Sequence, residues 1–170
     1  QSGVLGYVLL SPNLGPRNPL SELLLLPGAK TWAPWVHGAE HRFEVFDERH
    51  ARFWTERVPT TSLVEMMRLV DFVRDRDYGD VRRPVLTLVD PDDRVVDTRA
   101  IRDWHATLGA PRKRLATIDS ADPASHVLAG EIFSPATTDD VLQAIRAFFG
   151  PDRAAAALSP ARHSARSAGP

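Results

Sequence analysis

Apolar residues along this chain follow two rhythms that change near residue 80. Downstream, Pro84-Val85-Leu86-Thr87-Leu88-Val89 is a short, continuous apolar run bounded by turn residues, the pattern of a strand covered on both faces. It leads into the loop Asp90 to Val96. Asp97 then predicts a helix N-cap, with Ile101, Trp104, His105 and Leu108 on one face and Gly109 as the stop. Leu115-Ala116-Thr117-Ile118 predicts the next strand and Asp119 to Pro135 a long loop. Thr137 or Thr138 predicts the cap of a last helix that turns Val141, Leu142, Ile145, Phe148 and Phe149 inward and ends at Gly150-Pro151. Strand, helix, strand, helix with connections of this length predicts an α/β architecture: a parallel sheet of about three strands with right-handed crossovers.

Upstream the rhythm is different. Val4-Leu5-Gly6-Tyr7-Val8-Leu9-Leu10 predicts one further, fully buried strand. After the turn cluster Ser11 to Pro16, no second convincing strand occurs before about Asp80, so 14–80 reads as a helical insertion. Its best helix is predicted to start at Ser62, with Ser62 and Glu65 spaced as a capping box and Leu63, Met66, Met67, Val70 and Val73 at helical intervals. Trp32 to Trp54 is dense in aromatics and histidines, which either line an apolar cavity or simply pack. The expected organisation is a core of 1–13 and 81–150, a lid of 14–80 and a disordered tail of 151–170 rich in Ala, Ser, Arg and Pro. A buried strand at the start, with no initiator Met or signal peptide, predicts that the chain is the C-terminal part of a larger protein.

Composition narrows the partners. With 170 residues, 43% hydrophobic and 25% charged, the chain can bury a core as one globular domain. Lys plus Arg number 21 against 22 Asp plus Glu, a formal charge of -1, so no field gathers nucleic acid or an anionic membrane. A small neutral substrate or a protein partner fits better. The absence of cysteine removes disulfides, thiolate catalysis and cysteine metal sites. No apolar run approaches a membrane span. No compartment is assigned by these features, the cytoplasm being the default.

In a parallel sheet, ligands bind at the carboxyl ends of the strands. Two loops emerge there: one holds Asp93, just past the strand ending near Val89, and the other holds His126, past the strand ending near Ile118. If those strands are neighbours, about 5 Å apart, the carboxylate reaches the imidazole. Such a pair fixes the imidazole tautomer and stabilises the imidazolium formed when the other ring nitrogen takes a nucleophile's proton.

At this point the chain resembles a known family. Pro84 to Val96, PVLTLVDPDDRVV, is similar to the strand and acid loop of α/β hydrolases. Ser125-His126-Val127-Leu128 resembles the family's histidine loop, Thr138 to Phe149 its closing helix, and GYVLLSPNLGP the strand leading into its lid. The resemblance covers most of the chain to Phe149 and is most specific around Asp93 and His126. It implies the C-terminal part of an α/β-hydrolase fold, with Asp93 as acid and His126 as base in the family's order of serine, acid, histidine. Within the family the lysophospholipase and monoacylglycerol-lipase branch is the nearest likeness. One departure stands out: the family commonly has glycine three residues before the acid, and here Asp90 occupies that place. Asp92 is the alternative acid, and a loop carboxylate with no catalytic role is the third reading.

The nucleophile is missing. No two glycines are four residues apart, so G-x-S-x-G is absent. Ser11 ends a strand, but Pro12 follows where a free amide would be needed, and it reads as a turn residue. His37-Gly38-Ala39-Glu40-His41 matches H-x-x-E-H, yet Pro34 and Gly38 weaken the helix that zinc binding requires and no third ligand is identifiable, so no metal and no cofactor are expected. His105 reads as a core residue. The expected function is hydrolysis of a carboxylic ester, of lipid-like acyl type, by a triad whose serine lies in the missing N-terminal half, the chain alone being inactive. A non-catalytic module of the same fold is the alternative, and dehalogenase or epoxide-hydrolase chemistry a remoter one.

Overall fold

The computed structural model describes residues 3–45 and 47–150; the expected tail lies outside them. Strands β1 (Tyr7–Leu10), β4 (Val85–Val89) and β5 (Lys113–Thr117) form one parallel sheet in the order β1-β4-β5. Tyr7 pairs with Val85 and Leu10 with Leu88; on the other side Val85 pairs with Lys113 and Val89 with Thr117. Between β1 and β4 lie α1 (Ala29–His37), β2 (Glu40–Arg42), α2 (Glu48–Phe53), β3 (Arg57–Pro59) and α3 (Thr60–Arg74), preceded by a 3-10 helix at Pro19–Leu25. Helix α4 (Thr98–Thr107) connects β4 to β5, and α5 (Thr138–Phe149) closes the described chain.

Strand β4 is buried from end to end, as an apolar run between two layers requires. Its alternation sorts the core into halves. Leu86 and Leu88 meet Leu128, Val141, Ile145 and Phe148 beside α5, while Val89 packs with Val96 and Ile101 beside α4. Each such side chain removed from water contributes about 1.5–3 kcal/mol. On the α4 side Thr87 is buried and its Oγ1 lies 3.0 Å from Nδ1 of buried His105, so the polar member of the strand is satisfied inside the core.

Strand β1 departs from expectation. Instead of being fully buried, Tyr7, Val8 and Leu10 are exposed, as are Val4 and Leu5 before them. No described strand pairs with its outer edge and no described helix covers both its faces, so the apolar pattern is present without its covering. Gly6 is needed where β1 begins: a Cβ there would come within 2.5 Å of the Phe149 ring and 2.8 Å of the Pro84 carbonyl. Gly109 serves the same end rather than a left-handed cap, since its Cβ would lie 1.9 Å from the Gly79 carbonyl.

The insertion is helical but not exclusively so. β2 and β3 form a short antiparallel pair that the sequence concealed, three residues each being too short for a period of two to show. Helix α3 begins at Thr60, not Ser62, and has no side-chain cap; Glu65 turns to Lys30 and Arg68 instead of closing a capping box. Val64 packs with Ala29 and Ala33 of α1. Trp35 and Val36 at the end of α1 are 87% and 80% exposed, and Phe53 and Trp54 are exposed as well, so these aromatics do not line an interior cavity. No helix of the described residues is long and apolar enough to cross a membrane.

Candidate functional site

Asp93 sits in the turn that follows β4. Asp93 N–H donates to the Asp90 carbonyl at 3.2 Å, closing that turn. Oδ1 accepts from the N–H groups of Val95 (2.8 Å) and Val96 (2.9 Å). Oδ2 faces Nδ1 of His126 at 2.9 Å. The Asp93 side chain has no exposed surface, whereas that of His126 is 28% exposed. Burial pushes the Asp93 carboxyl upward, but hydrogen bonds from His126, Val96 and Val95 outweigh it and hold the group below the ordinary aspartate value.

The two loops therefore meet at the carboxyl edge of β4 and β5, which are sheet neighbours. With Nδ1–H donated to the carboxylate, Nε2 of His126 keeps its lone pair and is able to accept a proton. Charge gained by the ring in that step is balanced by a carboxylate already stripped of water and fully hydrogen-bonded. Asp92, the alternative acid, is exposed, and its backbone N–H donates to Oδ1 of Asp90 at 2.8 Å.

His126 stands on a loop with no regular structure, and polar side chains hold it there. Buried Asp122 accepts through Oδ2 from the N–H groups of His126 and Val127, each at 2.9 Å, and through Oδ1 from Ala124 N–H at 3.3 Å. Ser125, immediately before the histidine, has φ +54°, a left-handed conformation unusual for a residue with a Cβ; its N–H is tied to the Asp122 carbonyl at 2.8 Å. The Ser134 hydroxyl donates to the Val127 carbonyl. From the other side, the Arg17 guanidinium donates to the Asp93 carbonyl at 2.5 Å. Asp122, Ser120 and Arg17 escaped the sequence reading, and Asp90 figured in it only as a departure from the family's glycine. The spacing of Asp122 four residues before His126 was the available signal, because aspartates in loops bond the N–H groups ahead of them.

Other candidates fall elsewhere. Ser11 ends β1 with φ +40° and a buried Oγ that has no hydrogen-bond partner among the described residues. His37 ends α1 while His41 lies in β2, so H-x-x-E-H does not occupy one helix; Nε2 of His37 and Nδ1 of His41 instead face each other at 3.2 Å on the exposed surface of the insertion. Among the described residues no three His, Cys, Asp or Glu side chains converge as a metal site.

No family model and no curated protein matches the chain. Among solved structures, a soluble variant of monoglyceride lipase from Saccharomyces cerevisiae, in complex with a substrate analogue, is similar over 88% of this chain, at TM-score 0.58 and 11% identity. This chain spans 56% of that lipase's length. A chain from work on LipS and LipT, two metagenome-derived lipolytic enzymes, is similar over 68% of this chain and 45% of its own, at TM-score 0.45 and 15% identity. Likeness at such low identity concerns the fold alone, and that to the monoglyceride lipase agrees with the parallel sheet and its flanking helices. The chain carries part of an α/β-hydrolase fold.

Proposed function

We propose that this chain supplies the acid and the base of a serine hydrolase acting on carboxylic esters, with a lipid-like acyl ester as substrate class. The observation that carries the reading is the 2.9 Å contact between His126 Nδ1 and a fully buried Asp93 carboxylate whose other oxygen is held by two backbone N–H groups. A structural loop acid has no need of that arrangement; an acid that must orient an imidazole and stabilise its charge does. The substrate class follows the monoglyceride lipase whose fold is shared.

In this mechanism Nε2 of His126 removes the proton of a serine hydroxyl as its oxygen bonds to the ester carbonyl carbon. The same proton then passes to the departing alcohol as the ester C–O bond breaks, leaving an acyl-enzyme. Water, deprotonated in turn by His126, releases the acid and restores the serine. The serine and the oxyanion donors come from a segment preceding Gln1. The exposed apolar outer side of β1 supports that assignment, since a further strand and its helices would cover Val4, Leu5, Tyr7, Val8 and Leu10.

The test is an aryl-ester assay of the 170-residue chain alone and joined to its upstream coding sequence. The longer protein is expected to turn over and to lose about 10³-fold or more in kcat with His126→Ala. Turnover by the 170-residue chain that vanishes with His126→Ala would place the nucleophile inside it and overturn the assignment. An inactive longer protein would favour a non-catalytic module.

A further inference from the structure

The β4–β5 ladder ends where Ile118 N–H donates to the Val89 carbonyl at 3.0 Å. Beyond that bond the chains diverge into the acid loop and the histidine loop, and a side chain takes over. Asp90 is 1% exposed, and its two oxygens are divided between the loops: Oδ1 accepts from Asp92 N–H and Oδ2 from Ser120 N–H, both at 2.8 Å. Ser120 passes the constraint on. Its Oγ accepts from Asp122 N–H at 3.1 Å and lies 2.8 Å from the Val127 carbonyl, while Asp122 holds the N–H groups of His126 and Val127.

We propose that Asp90 is a positioning residue for the acid and histidine, acting through Ser120 and Asp122 to keep the histidine loop within hydrogen-bonding distance of Asp93. The inference rests on the reading of Asp93 and His126 as a working pair. Burying a carboxylate is costly unless every oxygen is used. A residue that only shaped the acid turn would need one acceptor, for Asp92 N–H; the second oxygen is spent on the neighbouring loop. Each later link ends on backbone N–H or C=O, so a change at Asp90 reaches the main chain of His126 rather than one rotamer. Asp93 N–H on the Asp90 carbonyl anchors the acid to the same residue. Both halves of the pair are thus referred to one point at the end of the most buried strand. Asp90 makes no hydrogen bond to Asp93 Oδ2 or to the imidazole, so it acts on them through the loops it holds.

Imidazole proton and nitrogen NMR of the 170-residue chain tests this. In the unaltered protein His126 is expected in the Nδ1–H form. Asp90→Asn keeps one acceptor but places an amide NH₂ against an N–H group. It should shift His126 toward the Nε2–H form by about fivefold, the change expected on losing one net hydrogen bond. Ser120→Ala, which removes a hydroxyl only, should shift it in the same direction. His126 spectra unchanged in both folded variants overturn the inference. Asp93→Asn is the control: if it leaves the His126 signals unmoved, the pair itself fails, a different result from Asp90→Asn and Ser120→Ala alone being silent. Should Asp90→Asn unfold, hydrogen exchange of the unaltered chain decides. The Ser120, His126 and Val127 amides are expected to exchange about a hundredfold more slowly than unbonded loop amides, and free exchange at all three overturns the proposal.

Discussion

Two regions of this molecule treat their side chains in opposite ways. Where β4 and β5 end, buried polar groups are satisfied: Asp90, Asp93, Asp122 and Ser134 all have hydrogen-bond partners, and each carboxylate takes backbone N–H groups on one or both oxygens. Along β1 and the adjoining insertion, apolar groups lie open, from Val4 and Tyr7 to Leu20, Trp35 and Phe53, and buried Ser11 Oγ lacks a described partner. Apolar surface is left out of water's reach only when something covers it, and buried hydroxyls are nearly always bonded. The first region finds its partners within this chain; the second asks for others, which the proposed upstream segment would provide.

That contrast is best broken at the site. In the upstream-extended protein Asp93→Asn should lower kcat by about 10⁴-fold, because an amide presents its N–H₂ to the ring and favours the wrong tautomer; an unchanged rate moves the acid elsewhere. Stability should divide along the same line. Leu88→Ala, in the core under α5, should cost about 2–5 kcal/mol in urea denaturation, whereas Trp35→Ala should stay within about 0.5 kcal/mol because its side chain has almost nothing to lose. A large loss at Trp35 would show the insertion's apolar face to be covered already.

The pH dependence sharpens the comparison at a second buried group. Burial, and then the nearby Lys113 charge, hold His105 below the ordinary histidine value of 6.5. As pH falls below about 6.5 the unfolded chain takes up a proton before the folded one does. Stability should therefore decline from there until His105 itself titrates. Asp93 adds a loss of the same sign only further down, below its ordinary 3.8. His105→Gln should flatten the first decline, measured by denaturation from pH 8 to 5, and leave the second. The smallest effect is local: Asp97 caps α4 through Arg99 N–H at 2.8 Å, and Asp97→Ala should cost about 1 kcal/mol.

How much of this was legible depends on how far apart the interacting residues lie. Helix α4 could be read because its cap and its buried residues Ile101 and His105 are set by spacings of a few residues. Helix α5 showed the same periodicity, although Thr137 Oγ1 donates to the Leu128 carbonyl instead of capping it. Asp93 and His126 could be named because each follows a recognisable strand. Asp90 could not: its second partner, Ser120, is 30 residues away, and by sequence it was only a departure from a familiar pattern. Phe133 gave no signal either, yet it packs edge-on against His50 and Trp54, joining the insertion to the histidine loop.

Periodicity and turn chemistry by themselves determined the parallel strands, the helices between them and the two loops that carry acid and imidazole, since those depend on local sterics and on which face is apolar. Only the tertiary structure decided that the loops close to 2.9 Å, that buried carboxylates frame them, and that an apolar strand stands uncovered. Burial and hydrogen-bond satisfaction are properties of residues brought together by folding, and an amino-acid's neighbours along the chain do not specify them.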